Sequence, residues 1–241
     1  MIERIVEVKR REVETLKGRR FRERLKPVLP LKTEEPVNII AELKRKSPSA
    51  GFISDIDDRR IEEYSRYACA ISVLTDTEFF GGSMEFLARV ANITPLPVLC
   101  KDFIIHQVQI DAAYAAGADL VLLIARILSV EELTRLYTYA HDLGLKCLVE
   151  IHDTEELAKI AGIAPSIVGV NARNLDTLAI DVARVPAILK SVNARVKVAE
   201  SGIKTRRDIE HFRGSANTFL IGETLMRSSN LDSTFRELLH G

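Results

Sequence analysis

Asp119-Leu120-Val121-Leu122-Leu123 is followed by a helical pattern over 130–143, then by Gly144 and Lys146-Cys147-Leu148-Val149-Glu150. Two short, continuous apolar runs thus flank an amphipathic stretch that a glycine closes. Runs apolar at every position suit parallel strands covered on both faces, because an antiparallel strand with one wet face would alternate. Gly144 supplies the left-handed residue that ends a helix, and the next strand begins at once. The stretch reads as one strand–helix–strand unit.

The same unit recurs in both directions. Upstream runs are Val37-Asn38-Ile39-Ile40-Ala41, Ala70-Ile71-Ser72-Val73-Leu74 and Leu96-Pro97-Val98-Leu99-Cys100. Downstream runs are Ser166-Ile167-Val168-Gly169-Val170, Val196-Lys197-Val198-Ala199 and Thr218-Phe219-Leu220-Ile221. A helix over 106–116 ends at Gly117, and Asp153-Thr154-Glu155-Glu156 has the capping-box arrangement of a helix start. Eight units over 37–241 give roughly 26 residues each, the spacing of an eight-fold barrel of ~250 residues. The expected fold class is α/β, a (β/α)8 TIM barrel with an N-terminal helical extension over 1–36. A doubly wound open sheet is the competing architecture, and eight similar units without a break favour the barrel. In the extension, Ile5, Val8, Val13 and Leu16 mark one helix face. Phe21-Arg22-Glu23-Arg24-Leu25 predicts a second helix, stopped near Pro27 and Pro30. The Lys/Arg cluster from Lys9 to Lys26 is interleaved with glutamates and reads as a solvated helix face.

The 241 residues carry 34 Lys+Arg against 34 Asp+Glu, three Cys and no Trp. Zero formal charge argues against nucleic acid or an anionic membrane as partner, since both reward a basic excess. No apolar run approaches the ~18 residues of a membrane span, and the N-terminus lacks a secretory or transit pattern. Cys69, Cys100 and Cys147 are far apart and sit in or beside apolar runs, which predicts buried thiols of a cytoplasmic protein without disulfide or metal.

Barrel enzymes carry their chemistry at the C-terminal strand ends. Here those ends hold Glu42 and Lys44, Lys101, Glu150, Asn171 with Arg173, and Glu200 with Ser201. Glu42 and Lys44, two apart in extended chain, project to one side. If Lys101 and Glu150 converge with them, a lysine beside another cation has a lowered pKa and donates protons near neutral pH. Lys46-Ser47-Pro48-Ser49 after the first strand, and the backbone near Gly202 and Gly222 after the last two, suggest a phosphate site. Glu223 is placed to cap a helix N-terminus. Of the histidines only His152, near Glu150, stands out, and loop packing is its favoured role.

Several of these motifs occur together in one family. Ile39-Ile40-Ala41-Glu42-Leu43-Lys44-Arg45-Lys46-Ser47-Pro48-Ser49, Val98-Leu99-Cys100-Lys101-Asp102-Phe103-Ile104 and Leu148-Val149-Glu150-Ile151-His152-Asp153 resemble indole-3-glycerol-phosphate synthase. So do Gly169-Val170-Asn171-Ala172-Arg173-Asn174-Leu175, Val198-Ala199-Glu200-Ser201-Gly202-Ile203, Phe79-Phe80-Gly81-Gly82-Ser83 and Leu220-Ile221-Gly222-Glu223-Thr224-Leu225-Met226-Arg227. The resemblance implies a carboxy-lyase of tryptophan biosynthesis. Such an enzyme cyclises 1-(2-carboxyphenylamino)-1-deoxyribulose 5-phosphate to indole-3-glycerol phosphate, losing carbon dioxide and water, with no metal or organic cofactor. By the same resemblance Lys101 is the general acid, and Lys44 holds the anthranilate carboxylate. Glu150 and Glu42 serve the dehydration, while Asn171, Arg173, Glu200 and Ser201 orient the sugar and the lysines. Lys46, Ser47, Gly202, Gly222 and Glu223 fall at the phosphate site. Phe80, Phe103, Leu122, Leu175, Leu178 and Ile221 match the aryl pocket. Ala172 departs from the family's usual Asn or Ser, and the connection 213–216 looks short; both bear on affinity rather than reaction class. The expectation is a monofunctional cytoplasmic enzyme, monomeric or weakly dimeric, whose partner is a small anionic substrate. The alternative is another ribose-phosphate barrel enzyme, such as a sugar-phosphate isomerase.

Overall fold

The structure is a computed structural model and describes residues 1–48 and 51–241. Eight parallel strands close a barrel: β1 (Asn38–Leu43), β4 (Ala70–Leu74), β5 (Val98–Lys101), β6 (Leu120–Ile124), β7 (Lys146–Ile151), β8 (Ile167–Asn171), β9 (Val196–Glu200) and β10 (Thr218–Ile221). The short strands β2 (Lys46–Ser47) and β3 (Gly51–Phe52) pair antiparallel just after β1. Closure rests on β1, which pairs in parallel with β4 on one side and β10 on the other. That ring excludes the open sheet. All eight predicted runs are barrel strands.

The alternation of side chains along each strand explains why the runs are apolar throughout. On β6, Leu120, Leu122 and Ile124 belong to the interior cluster, with Ile40, Leu99, Leu148, Val198 and Leu220. Val121 and Leu123 point outward and join Leu133, Leu136 and Ala140 of the covering helix α5 (Val130–Asp142). A strand in this fold has two buried faces, so both are apolar along most of its length. Truncating an interior leucine to alanine costs about 2–5 kcal/mol in such a core.

The other helices are α1 (Ile2–Leu16), α2 (Asp58–Tyr67), α3 (Met84–Ile93), α4 (Gln107–Ala115), α6 (Leu157–Ile160), α7 (Val185–Ser191), α8 (Arg206–His211), α9 (Glu223–Arg227) and α10 (Leu231–His240). Side-chain caps set the starts of α2, α3, α4, α5, α8 and α10. Ser129 and Glu132 form a reciprocal box at α5, with bonds of 3.2 and 2.9 Å. His106, read within the helical pattern, instead caps α4 by accepting from the Val108 N–H through Nδ1 at 3.1 Å. No described helix is long and apolar enough to cross a membrane.

Three expectations need correction. Only half of the box at Asp153 forms: Asp153 accepts from the Glu156 N–H, but Glu156 accepts from the His152 N–H rather than from that of Asp153. It closes a turn, however, and α6 begins only at Leu157. No helix follows α1 before β1: residues 18–37 run irregularly, and Leu25 is 94% exposed. Arg24 explains this, because its guanidinium reaches Asp119 at 2.6 Å and the carbonyls of Ala118, Lys26 and Pro27. Those contacts fix the segment better than a short proline-bounded helix could fix itself. Asp119 also accepts from the Leu29 and Val98 N–H groups, tying this segment to the N-terminal end of β5. Finally, the basic cluster is not wholly solvated: Lys9 lies with Ile5 and Val13 on the buried face of α1.

Candidate active site

Period-two alternation carries the interior rows of the barrel to a charged top layer. Above Ile40 on β1 stands Glu42, above Leu99 on β5 stands Lys101, above Leu148 on β7 stands Glu150, and above Val198 on β9 stands Glu200. Each charged residue is two positions beyond an interior apolar one, so all four turn to the barrel axis. They border a cavity of about 570 Å³ at the C-terminal strand ends, a size ordinary for a small-molecule site.

Lys101 Nζ is 3.4 Å from Glu150 Oε2 and 3.5 Å from Glu200 Oε2, with its side chain 14% exposed. Lys44 Nζ is 2.8 Å from Glu42 Oε1, the same-side geometry expected from their spacing. Burial by itself would lower the Lys101 pKa, but the carboxylates of Glu150, Glu200 and Glu42 outweigh it and hold the ammonium above the ordinary lysine range. The expectation of a lowered lysine pKa is therefore overturned: carboxylates, not a second cation, are its dominant neighbours. Burial would raise Glu42, yet Lys44 and Lys101 pull it below the usual range. Glu150 is opposed by burial but held charged by Lys101 and His152. Glu200 is raised, by burial first and then by the neighbouring Glu150 charge. Its two oxygens have no hydrogen bond among the described residues, and only Lys101 stands at ion-pair distance. Two carboxyl groups beside one ammonium are thus pushed in opposite directions, which is how acid and base functions coexist in one site.

The cavity wall also contains Lys44, Asn171 and Arg173 from the expected polar set, with Ser201, Gly202, Gly222 and Glu223. Its apolar side holds Phe80, Phe103, Leu122, Leu175 and Ile221. The rings of Phe80 and Phe103 meet at 6.2 Å between centroids. Ser201 and Gly202 both adopt left-handed backbone, φ 67° and 80°, which turns the chain over the end of β9. Glu223 lies in the first turn of α9 and pairs with Arg227 at 3.0 Å.

Three expected residues lie elsewhere. Lys46 Nζ donates to the Glu78 carbonyl at 2.8 Å, Ser47 is buried in the β2–β3 pair, and Leu178 is not on the cavity wall. Leu178 has φ 63°, and its carbonyl accepts from Arg173 at 3.2 Å. Ser49, quoted with Lys46 and Ser47, is outside the described residues.

His152, singled out in the sequence for loop packing, joins the charge network instead, and several further supports were missed. His152 is buried between Glu150, at 3.3 Å from Nε2, and Glu156, at 3.5 Å from Nδ1. These are charge contacts without hydrogen-bond alignment. Burial works against the imidazolium, but the two carboxylates push its pKa up to about 9. Arg184 donates to the carbonyls of His152 and Asn171, bracing the β7 and β8 loops. Gly169 leaves room for Glu200, whose carboxylate a Cβ there would overlap. Lys204 and Arg227 also line the cavity, close in sequence to Gly202 and Gly222. Their proximity to those glycines was the available signal. Among the described residues no cluster of three His, Cys, Asp or Glu side chains is placed to hold a metal ion.

Comparison with known proteins bears on this arrangement. The chain is 45% identical to the indole-3-glycerol phosphate synthase of Sulfurisphaera tokodaii, covering 80% of this chain and 79% of that one. It is 42% identical to the protein of that name from Nautilia profundicola, over 88% and 84% of the two chains. The Bacillus mycoides synthase is 40% identical over 98% and 97%. Among solved structures, thiamine phosphate pyrophosphorylase from Pyrococcus furiosus superposes with TM-score 0.61 at 15% identity, over 85% of this chain and 94% of that one, a likeness of fold alone. The family profile of indole-3-glycerol phosphate synthase matches residues 2–238. The chain belongs to the indole-3-glycerol phosphate synthase family.

Proposed function

We propose that the cavity converts 1-(2-carboxyphenylamino)-1-deoxyribulose 5-phosphate to indole-3-glycerol phosphate, carbon dioxide and water. The observation that carries this most directly is Lys101, an ammonium between two buried carboxyl groups on the floor of a cavity with one aromatic wall. Ring closure requires a proton for the substrate carbonyl oxygen as the ring carbon bearing the carboxylate attacks it. Lys101 starts protonated and in reach of the cavity, so it enters as the acid. Lys44, anchored by Glu42, holds the departing carboxylate before that bond breaks. Loss of carbon dioxide returns the bonding electron pair to the iminium and restores the arene. Dehydration then needs an acid for the hydroxyl and a base for the adjacent carbon. Glu150, held charged beside Lys101, takes the base role, and Glu42 is the second carboxylate within the same layer.

Asn171, Arg173, Glu200 and Ser201 orient the sugar and Lys101. The backbone near Gly202 and Gly222, with Glu223 at the start of α9 and Lys46 and Ser47 on the β2–β3 pair, forms the phosphate end. Phe80, Phe103, Leu122, Leu175 and Ile221 receive the aryl ring, and Leu178 supports Arg173 through its carbonyl. Residues 1–36 work as one unit with the 37–241 barrel, in the cytoplasm and without nucleic acid. A sugar-phosphate isomerase explains the phosphate end but leaves the Phe80–Phe103 wall without a ligand group.

The test exploits composition. With no Trp in the chain, indole fluorescence that develops on mixing with the carboxyphenylamino substrate comes from product. Its absence at micromolar enzyme overturns the assignment.

A further inference from the structure

Lys9 lies outside the cavity, on the buried face of α1, with 1% of its side chain exposed. Its ammonium is 2.8 Å from Asp76 Oδ2 and 2.7 Å from Asp102 Oδ1, and it donates to Glu12 at 2.8 Å. Burial opposes its charge, but Asp102 and Asp76 outweigh that and keep it protonated. An ammonium so enclosed persists only where opposed charge meets it, so what those two aspartates do matters.

Each aspartate holds one half of the aromatic wall. Asp76 Oδ1 accepts from the N–H groups of Phe79 at 2.6 Å and Phe80 at 3.1 Å, closing the turn after β4. Asp102 Oδ1 accepts from the Phe103 N–H at 2.7 Å, while its Oδ2 accepts from the Thr75 hydroxyl at 2.7 Å. Asp76 Oδ2 has no partner among the described residues besides the Lys9 ammonium. One cation on α1 is therefore shared by the carboxylates that set the backbone of Phe80 and of Phe103, the two rings in contact on the cavity wall.

We propose that Lys9 is a positioning residue for the aryl ring of the substrate, fixing the width of the slot between Phe80 and Phe103 through Asp76 and Asp102. The proposal rests on the synthase assignment, which supplies the arene. Because the arene stays bound through the reaction, a loosened slot weakens ground state and transition state alike, and its loss should appear in KM rather than kcat.

The experiment compares wild type with Lys9→Met, Lys9→Arg and Asp76→Asn, each checked for folding by thermal melting. Asp76→Asn keeps an oxygen for the Phe79 and Phe80 N–H groups while removing the charge, and serves where Lys9→Met does not fold. Three quantities are read: KM and kcat for the carboxyphenylamino substrate, the Kd of anthranilate from its own fluorescence, and the inhibition constant of inorganic phosphate. In Lys9→Met, KM and the anthranilate Kd should rise at least ~10-fold, kcat should change less than ~3-fold, and the phosphate constant should hold. Lys9→Arg, which keeps the charge, should recover most of the loss. A folded Lys9→Met or Asp76→Asn whose KM and anthranilate Kd stay within about twofold of wild type overturns the proposal. A phosphate constant that rises as far as KM also overturns it, since that marks a general loosening. Wild type that binds anthranilate but makes no indole defeats the synthase assignment instead, and the anthranilate arm still reads the slot.

Discussion

Lys101, half-buried, and Lys9, fully buried, are both ammonium groups facing paired carboxylates, and the main chain brings the two clusters to adjacent residues. Lys101 lines the cavity, while Asp102, the next residue, borders it and meets Lys9 from α1. The contacts differ in kind. Around Lys9 they are 2.7–2.8 Å, with Asp76 and Asp102 nearly closed to solvent and only Glu12 partly open. Around Lys101 they are 3.4–3.5 Å, with 14% of the side chain open to the cavity and both Glu200 oxygens without a hydrogen bond. A tight, closed cluster fixes geometry, because moving a proton out of it would leave a buried charge uncompensated. A loose one leaves polar capacity for a ligand to complete. Similar residue types thus give a scaffold on one side of the strand end and a reactive floor on the other.

The largest test of that contrast is Lys101→Ala. Turnover should fall at least ~100-fold, within the ~10²–10⁴ range for a general acid, while melting changes little because the cavity admits water to the remaining carboxylates. Near-normal indole production would show that the loose cluster is not the acid. Lys9→Met should do the reverse, lowering stability by about 3–5 kcal/mol, as expected when one partner of a buried ion pair is removed. Denaturant titration that finds less than ~1 kcal/mol would mean the closed cluster is no more structural than a surface pair.

His152 gives a smaller, pH-dependent effect on the reactive side. Its pKa is raised from 6.5 to about 9 in the folded state. The contribution is therefore fully present below the unfolded value and lost as pH rises through about 9. By linkage it amounts to at most about 3 kcal/mol. Wild type should lose melting temperature between pH 6.5 and 9 more steeply than His152→Gln. Parallel profiles would remove His152 from the charge network of Glu150. The smallest effect belongs to Leu25, which is outside both clusters and 94% exposed. Leu25→Ala should stay within about 0.5 kcal/mol of wild type in the same titration.

Much of the active end was legible because strand ends are legible. Their place at the ends of apolar runs located Glu42, Lys101, Glu150 and Glu200, and each shares the side of the interior apolar residue two positions before it. Lys46, Ser47 and Leu178 were assigned to the cavity by motif, and the structure sets them beside it. Motif proximity counts residues along the chain, whereas a side chain's direction follows from the hairpin or left-handed turn that carries it. Arg184 and Gly169 were invisible for a related reason: a carbonyl acceptor and a steric clearance leave no residue-type pattern in sequence.

Lys9 shows the boundary most clearly. Its neighbours in sequence are charged, so local composition placed it on a wet face, and only the packing of α1 over the β4 and β5 loops buried it. The sequence by itself determined the barrel strands, because continuous apolar runs can be satisfied only by covering both faces, and it determined the charged layer by alternation. Tertiary structure decided how those charges pair. Pair distances and solvent access depend on contacts between segments far apart in the chain, and they separate a lysine that faces the cavity from one sealed into the scaffold.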